Sequence, residues 1–436
     1  MSTDLALLGG QPLRQSPYLA HTTICDDAEE KAAIEVIRSG VLSGFAATPD
    51  ERFKGGVKVR ALEDLLASLH GVKRCVTFNS ATSALHGAMA AAGIGPGDEV
   101  ITSPYTMAAT PASVLMTNGI PVFADIEDRT YGLDPDSVKA RITGQSKAIL
   151  TVNLFGHPGR LHELKALADR HGLMLIEDNS QSPMALSKGR LAGTIGRMGI
   201  LSLNYHKAVQ TGEGGAVLTD DEALAERLCL VRNHGEALVR HFGVEDISNS
   251  LGWNYRMTEI SAAIGIEQIK KLEKLNGVRI SLAARLSEGL GRFDFLAPPI
   301  VESGCSHVFY LYAYRYDEDR AGIKRSTFAK AMQAEGVQIG EGYLMPLYLE
   351  PIYQQRIVYG KQGCPIACPL YKGAVSYEQG LCPTAERLWR HEMLTTNICR
   401  FPNGPEVVDE YLAAIAKIAA NLPRLRAFER ANAEAS

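Results

Sequence analysis

Two hydrophobic periods alternate along the chain from residue 26 to residue 220. Apolar residues recur at three- and four-residue spacing over 26–39, behind a leading run of acids, until Gly40 stops the pattern, which predicts a helix. The same spacing predicts helices over 59–70, closed by Gly71, and over the alanine-rich 81–92, ended by Gly93. Further helices are expected near 107–117, 135–142 and 161–171. Short apolar runs predict strands at 74–78, 99–102, 121–124, 148–154, 173–177, 199–203 and 216–218. Strands and helices alternating at this spacing predict an α/β fold with a mainly parallel sheet covered on both faces. Beyond residue 258 the pattern changes. A helix is expected over 258–272 with helical character to about 290, then a strand at 308–316, a helix at 326–335 and a terminal helix at 408–421. The expected division is an N-terminal arm (1–25), a large domain (26–274) and a smaller α+β domain (275–436). No internal repeat or low-complexity tract interrupts it.

Ligands of such sheets bind beyond the carboxyl ends of strands, and two segments put charged residues there. LMLIEDNSQ (173–181) is a buried-strand pattern ending in Asp178, and LSLNYHKAVQTGEGGAV (201–217) sets Lys207 between an apolar run and a glycine-rich turn. A lysine and an aspartate in these positions are what a pyridoxal 5'-phosphate site requires. The amine takes the aldehyde as a Schiff base, and the carboxylate keeps the pyridine nitrogen protonated so that the ring accepts electrons. Most lysines are solvated surface groups. Lys207 differs in having little charge around it, and the glycines that follow allow close backbone approach to a ligand.

Each neighbouring candidate has a plainer explanation beside it. Asp178 could cap a helix, and Glu177 could be the working carboxylate instead. Gln181 can turn toward the same pocket and bond a phenolic oxygen, with a capping-box role as the competitor. FNSATSAL (78–85) opens a helix after a strand, so Ser80, Ala81 and Thr82 would offer backbone N–H groups to a phosphate; an ordinary cap by Ser80 or Thr82 explains the same pattern. Ser202 could donate to that phosphate. His307 and Tyr310, in HVFYLY, are candidates for substrate contacts, against a core histidine and a strand aromatic.

Composition narrows the classes. The 436 residues are 46% hydrophobic and 22% charged, as in ordinary soluble globular proteins of two domains. A net charge of -4 without a basic stripe argues against nucleic acid. No apolar run is long enough for a bilayer, and MSTDLALLGGQPLRQ lacks a signal-peptide pattern, so a cytoplasmic location away from membranes is expected. Eight cysteines in this length are no disulfide framework. Cys364, Cys368, Cys382 and Cys399 are irregularly spaced without a histidine pattern, so no metal site is expected. GEGG matches neither nucleotide-loop signature.

The segments LALLGG, NSATSALHGAMAAAGIGPGDEVI, PYTMAAT, PVFADI, LFGHP, IEDNSQ, SLNYHKAVQTGEGGAV, RNHGE and GWNYRMTEISAAIG, in this order, resemble those of the DegT/DnrJ/EryC1/StrS sugar aminotransferases. The resemblance runs from about Leu5 to the C-terminal helix and implies the fold type I of pyridoxal phosphate enzymes. It implies Lys207 as the Schiff-base lysine, Asp178 as the pyridine partner, Gln181 near the cofactor oxygen, and Ala81, Thr82 and Ser202 at the phosphate. Met107 stands where many members stack an aromatic ring on the cofactor. Ala81 replaces a common glycine, and Asn179 and Ser180 replace small apolar residues. By the same resemblance Asn254 reaches the phosphate of the neighbouring subunit, which implies a homodimer with shared active sites. The implied reaction moves an amino group from L-glutamate or L-glutamine to a keto-sugar or keto-cyclitol, with pyridoxamine phosphate as the intermediate. The NYHK form looks most like the glutamine:scyllo-inosose and related cyclitol aminotransferases. Two alternatives are a sugar dehydratase of the same fold, whose lysine is replaced by histidine, and a non-catalytic regulatory protein that binds pyridoxal phosphate. Lys207 is kept here, although His206 is adjacent, and the chain has no added basic domain.

Overall fold

A computed structural model describes residues 4–16, 18 and 24–434. Its centre is a seven-stranded sheet of order β1-β9-β8-β5-β4-β2-β3. The strands are β1 (Arg74–Phe78), β2 (Glu99–Thr102), β3 (Ile120–Phe123), β4 (Ser146–Val152), β5 (Met174–Asp178), β8 (Met198–Ser202) and β9 (Gly215–Thr219), with a small hairpin, β6 (Leu186–Ser187) and β7 (Arg190–Leu191), between. β3, β2, β4, β5 and β8 pair in parallel, while β9 runs antiparallel to both β8 and β1. The helices that connect or cover them are α1 (Asp27–Ser39), α2 (Val57–His70), α3 (Ala81–Ala91), α4 (Ala109–Met116), α5 (Pro135–Arg141), α6 (Leu161–His171) and α7 (Glu222–Arg232). The mainly parallel α/β sheet is therefore as the periodicity predicts, with strand ends moved by one or two residues.

Strand alternation sorts the side chains onto two faces. Ile176, Ile200 and Val217 enter one core with Phe78, Leu85 and Leu228; Leu201, Ala216 and Leu218 enter the other with Leu62, Leu66 and Ile269. Helix α3 is buried over Ser83–Ala91, which its alanines permit by allowing close approach. Gly215 serves the same packing. A Cβ there would lie 2.5 Å from Ala81 N and 2.6 Å from Ser80 C, so only glycine lets β9 pass the start of α3.

A single 32-residue helix, α8 (Glu259–Leu290), follows. Its first half packs Ala262, Ile269 and Leu272 against α2, and its second half packs Leu282, Leu286 and Leu290 into a C-terminal core. The division drawn at 274/275 falls inside this helix. The C-terminal core covers an antiparallel sheet of order β10-β11-β13-β12, made of β10 (Leu296–Ala297), β11 (Tyr312–Tyr316), β12 (Gly340–Glu341) and β13 (Met393–Thr396). The N-terminal residues dock on it: Leu5 is buried there, and Glu335 accepts from Ala6 N at 2.9 Å and Leu13 N at 3.1 Å. Residues 347–388 instead return to the large sheet. Tyr348, Tyr353 and Tyr377 pack around Phe123, and Tyr371 donates to Glu99 at 2.6 Å.

Three expectations change. The strand expected at 308–316 covers only Tyr312–Tyr316, because Phe309 turns the chain with φ +48°. The strand expected to reach residue 154 stops at Val152, before a turn in which Phe155 has φ +58°. The terminal helix runs over Pro405–Ala419, and a further helix, Leu422–Glu434, follows it.

Gly215→Ala is expected to destabilise the fold by about 1–3 kcal/mol, the cost of overpacking. Thermal unfolding checks this, and an unchanged melting temperature would show that the start of α3 can move aside.

Candidate active site

At the carboxyl ends of β5 and β8, beside the start of α3, lies a cleft of about 170 Å³. Eight of the candidate residues singled out from sequence line it besides Lys207: Ser80, Ala81, Thr82, Met107, Asp178, Gln181, Ser202 and Tyr310. Larger grooves, about 420 and 660 Å³, lie elsewhere, but their arginines are already paired with carboxylates, as in Arg129–Glu302 and Arg387–Glu392.

At the α3 end, Ser80 is extended and caps the helix: its Oγ accepts from Ser83 N, and its own N–H donates to Ser83 Oγ, both at 3.1 Å. This corrects the expected set of open donors, because the Ser80 N–H is spent on the cap. The N–H groups of Ala81 and Thr82 have no acceptor among the described residues, and both residues line the cleft at the positive end of the helix. The cap thus leaves two N–H groups open. Ser202, at the end of β8, lies on the same wall.

The two carboxylates of β5 separate by the strand pleat. Glu177 is fully buried and accepts from Gly193 N (2.6 Å), Ile195 N (2.7 Å), Gly196 N (2.7 Å) and Asn153 Nδ2 (3.1 Å). Its capacity is used in holding the loop before β8. Asp178 points the other way, into the cleft, where Thr110 Oγ1 donates to it at 2.8 Å and Ser180 N at 3.2 Å. No helix follows Asp178, so it caps none. Gln181 also forms no capping box: its Oε1 accepts from Phe155 N at 2.8 Å, and its Nε2 donates to Tyr343 Oη at 3.2 Å.

Lys207 sits in a turn in which its N–H donates to Asn204 O, while the Asn204 amide is held by Glu213. Its Nζ lies 4.6 Å from the centroid of the Tyr310 ring. Burial lowers the amine's pKa to about 8, with the charge of Asp178 working in the opposite direction. The neutral, nucleophilic form is therefore far more populated near neutral pH than in a solvated lysine, though still the minority.

Met107 is at the rim, 58% exposed. Asn254 is exposed and outside the cleft of its own chain; its Oδ1 accepts from Arg256 Nε at 2.8 Å, and its carbonyl from Asn79 Nδ2 at 3.3 Å. His307 does not reach the cleft either. Its ring stacks on Phe309 at 3.9 Å, and its Nδ1 accepts from Phe309 N, which makes it a core histidine. Tyr310 does line the cleft. Sequence reasoning missed Thr110 and Tyr343. Thr110 lies in a helix with no unusual spacing, and Tyr343 is one of many tyrosines in a segment without periodicity.

The DegT/DnrJ/EryC1/StrS aminotransferase family matches residues 45–381. The chain belongs to this family. It is 34% identical to the spore coat polysaccharide biosynthesis protein SpsC of Bacillus subtilis, over 74% of the chain and 84% of that protein. It is 30% identical to the L-glutamine:2-deoxy-scyllo-inosose aminotransferase of Streptoalloteichus tenebrarius, over 98% of the chain and 100% of that protein. Among solved structures, DesI in the presence of its TDP-sugar product superposes with a TM-score of 0.78 at 27% identity, covering 99% of both chains. The protein is thus an enzyme of the aminotransferase class.

The two β5 carboxylates should respond differently to loss of charge. Glu177→Gln turns an amide toward backbone donors and should cost roughly 2–4 kcal/mol of stability, leaving the folded fraction active. Asp178→Asn should cost about 1 kcal/mol but abolish amino transfer. Melting curves beside turnover measurements check both, and a reversed pattern would make Glu177 the working carboxylate.

Proposed function

We propose that this aminotransferase uses pyridoxal 5'-phosphate to move an amino group from L-glutamine or L-glutamate to a keto-sugar or keto-cyclitol. It acts as a cytoplasmic homodimer with shared sites. The observation that carries the reading is one cleft in which a lysine amine of lowered proton affinity meets a buried carboxylate and two open helix N–H groups. That donor set fits the cofactor. The N–H groups of Ala81 and Thr82, with Ser202, would hold its phosphate, Asp178 its ring nitrogen and Lys207 its aldehyde carbon. The acceptor class is supported by the names of relatives, an inosose for the Streptoalloteichus enzyme and a TDP-sugar product for DesI. The full-length match to the first also favours L-glutamine as donor. Eight cysteines without a disulfide suit a reducing compartment.

When bound, pyridoxal phosphate supplies a carbonyl that captures amines and a ring that accepts the electron pair left as a proton leaves carbon. The chain's residues do the rest. Lys207 Nζ, once free, would take the proton from the donor's α-carbon as general base and deliver it, as general acid, to the cofactor carbon that had carried the aldehyde oxygen. Thr110 and Ser180 fix the Asp178 carboxylate so that its charge stays at the back of the cleft. Tyr310 and Tyr343 wall the cleft from the C-terminal half and keep water from the amine.

The purified protein should be yellow. Borohydride reduction followed by peptide mapping should put the pyridoxyl group on Lys207, and an adduct on a different lysine would overturn the reading. L-Glutamine or L-glutamate should bleach the colour and a keto-cyclitol or keto-sugar restore it.

Asn254, exposed beside Trp253, is expected to complete the partner's phosphate site. Mixing inactive Lys207→Ala chains with impaired Asn254→Asp chains should then restore activity, since each mixed dimer holds one intact site. If Asn254 serves its own chain, every site keeps a defect and the mixture stays inactive.

A further inference from the structure

Arg279 points inward from α8 and is 5% exposed. Among the described residues it pairs with no carboxylate. Its Nη1 donates instead to two successive carbonyls, Phe309 O at 3.3 Å and Tyr310 O at 3.2 Å. Burying a guanidinium is costly, and these two bonds, both from Nη1, tie it to one short turn. That turn needs holding: Phe309 has φ +48°, a left-handed conformation that aromatic residues avoid. The next residue, Tyr310, carries the ring that lies 4.6 Å from Lys207 Nζ.

We propose that Arg279 is a positioning residue for the reacting amine: by clamping the carbonyls of Phe309 and Tyr310 it seats the Tyr310 ring over Lys207 and keeps water away from Nζ. The inference rests on the reading of Lys207 as that amine. Arg279 itself touches neither the amine nor the cleft. It acts through the backbone of a loop that the strand pattern of HVFYLY would otherwise have straightened.

Two opposed effects of the ring decide the expected outcome. Burial by all the walls of the cleft, of which the ring is one, lowers the lysine's pKa from 10.5 to about 8, whereas the attraction of an ammonium to a ring face raises it by roughly half to one and a half pH units. An unseated ring admits water to Nζ and gives the ammonium back its solvation, so it should raise the amine's proton affinity. The other groups facing Nζ are Asp178 on β5, its chain neighbour His206, Glu213 beyond the turn, and Tyr343. Arg279 hydrogen-bonds to none of them. Arg400, after β13, faces Arg279 and Tyr310 and adds positive charge there.

The test is competitive labelling of the full-length protein, freed of carbonyl ligand with hydroxylamine, by acetic anhydride across a pH series. Peptide mass mapping follows Lys207. Wild-type labelling should reach half-maximum near pH 8. Arg279→Met should move it up by about one pH unit, so that labelling at pH 8 falls several-fold. Tyr310→Ala should move it in the same direction. Arg279→Lys and Arg279→Gln keep an N–H donor and should stay near wild type, as should Tyr310→Phe. A folded Arg279→Met protein with the wild-type profile would overturn the proposal. So would Arg279→Gln following Arg279→Met, because charge rather than the clamp would then be at work. If Arg279→Met fails to fold, Tyr310→Ala still decides, since an unshifted profile there removes the role of the ring. The labelling needs no pyridoxal phosphate, so a borohydride adduct on another lysine would fail the cofactor reading separately.

Discussion

Adjacent residues of a strand project to opposite faces of the sheet, and at the end of β5 both residues are acids. A buried carboxylate is tolerable only when its oxygens are met by donors. Glu177 finds four, three of them backbone N–H groups at 193–196, and so ties β5 to the loop that leads into β8. With the strand end fixed this way, Asp178 has one direction left, into the cleft, where Thr110 and Ser180 hold it. The positions of the other chemical groups follow from β5 and its neighbours. β8 lies beside β5 and carries Ser202 at its end and Lys207 in the turn beyond, and β9 brings Gly215 against the start of α3.

The cleft is also a product of both halves of the chain. The parallel sheet supplies the anion-receptive helix start, the carboxylate and the lysine. The C-terminal half supplies Tyr310 and Tyr343, which line the cleft in which burial lowers the amine's proton affinity. α8 joins the two because its first half belongs to one core and its second half to another. No helix among the described residues is long and apolar enough to cross a membrane; α8 is long because it spans two cores.

Much of this was legible in the amino-acid order, for physical reasons. The strands to 219 are short apolar runs bounded by glycine-stopped helices, so period alone separates them, and Asp178 and Lys207 stand out as charges directly after such runs. Period could not distinguish Glu177 from Asp178, since which face the site uses depends on the loop at 193–196. It also misread 308–311, where Val308, Phe309, Tyr310 and Leu311 read as a strand while Phe309 adopts a left-handed turn. The segment 343–389 is rich in tyrosine, proline and glycine without either period, so its return to the large sheet was invisible. Thr110 was missed because its value lies in one hydroxyl facing a residue 68 positions away.

A crystal structure of the protein grown with pyridoxal 5'-phosphate tests the central claim most directly. Continuous density is expected from Lys207 Nζ to the cofactor, with the ring nitrogen within hydrogen-bond reach of Asp178 and the phosphate on the N–H groups of Ala81 and Thr82. Density joined to a different lysine, or a ring nitrogen facing away from Asp178 with Glu177 in its place, would contradict it.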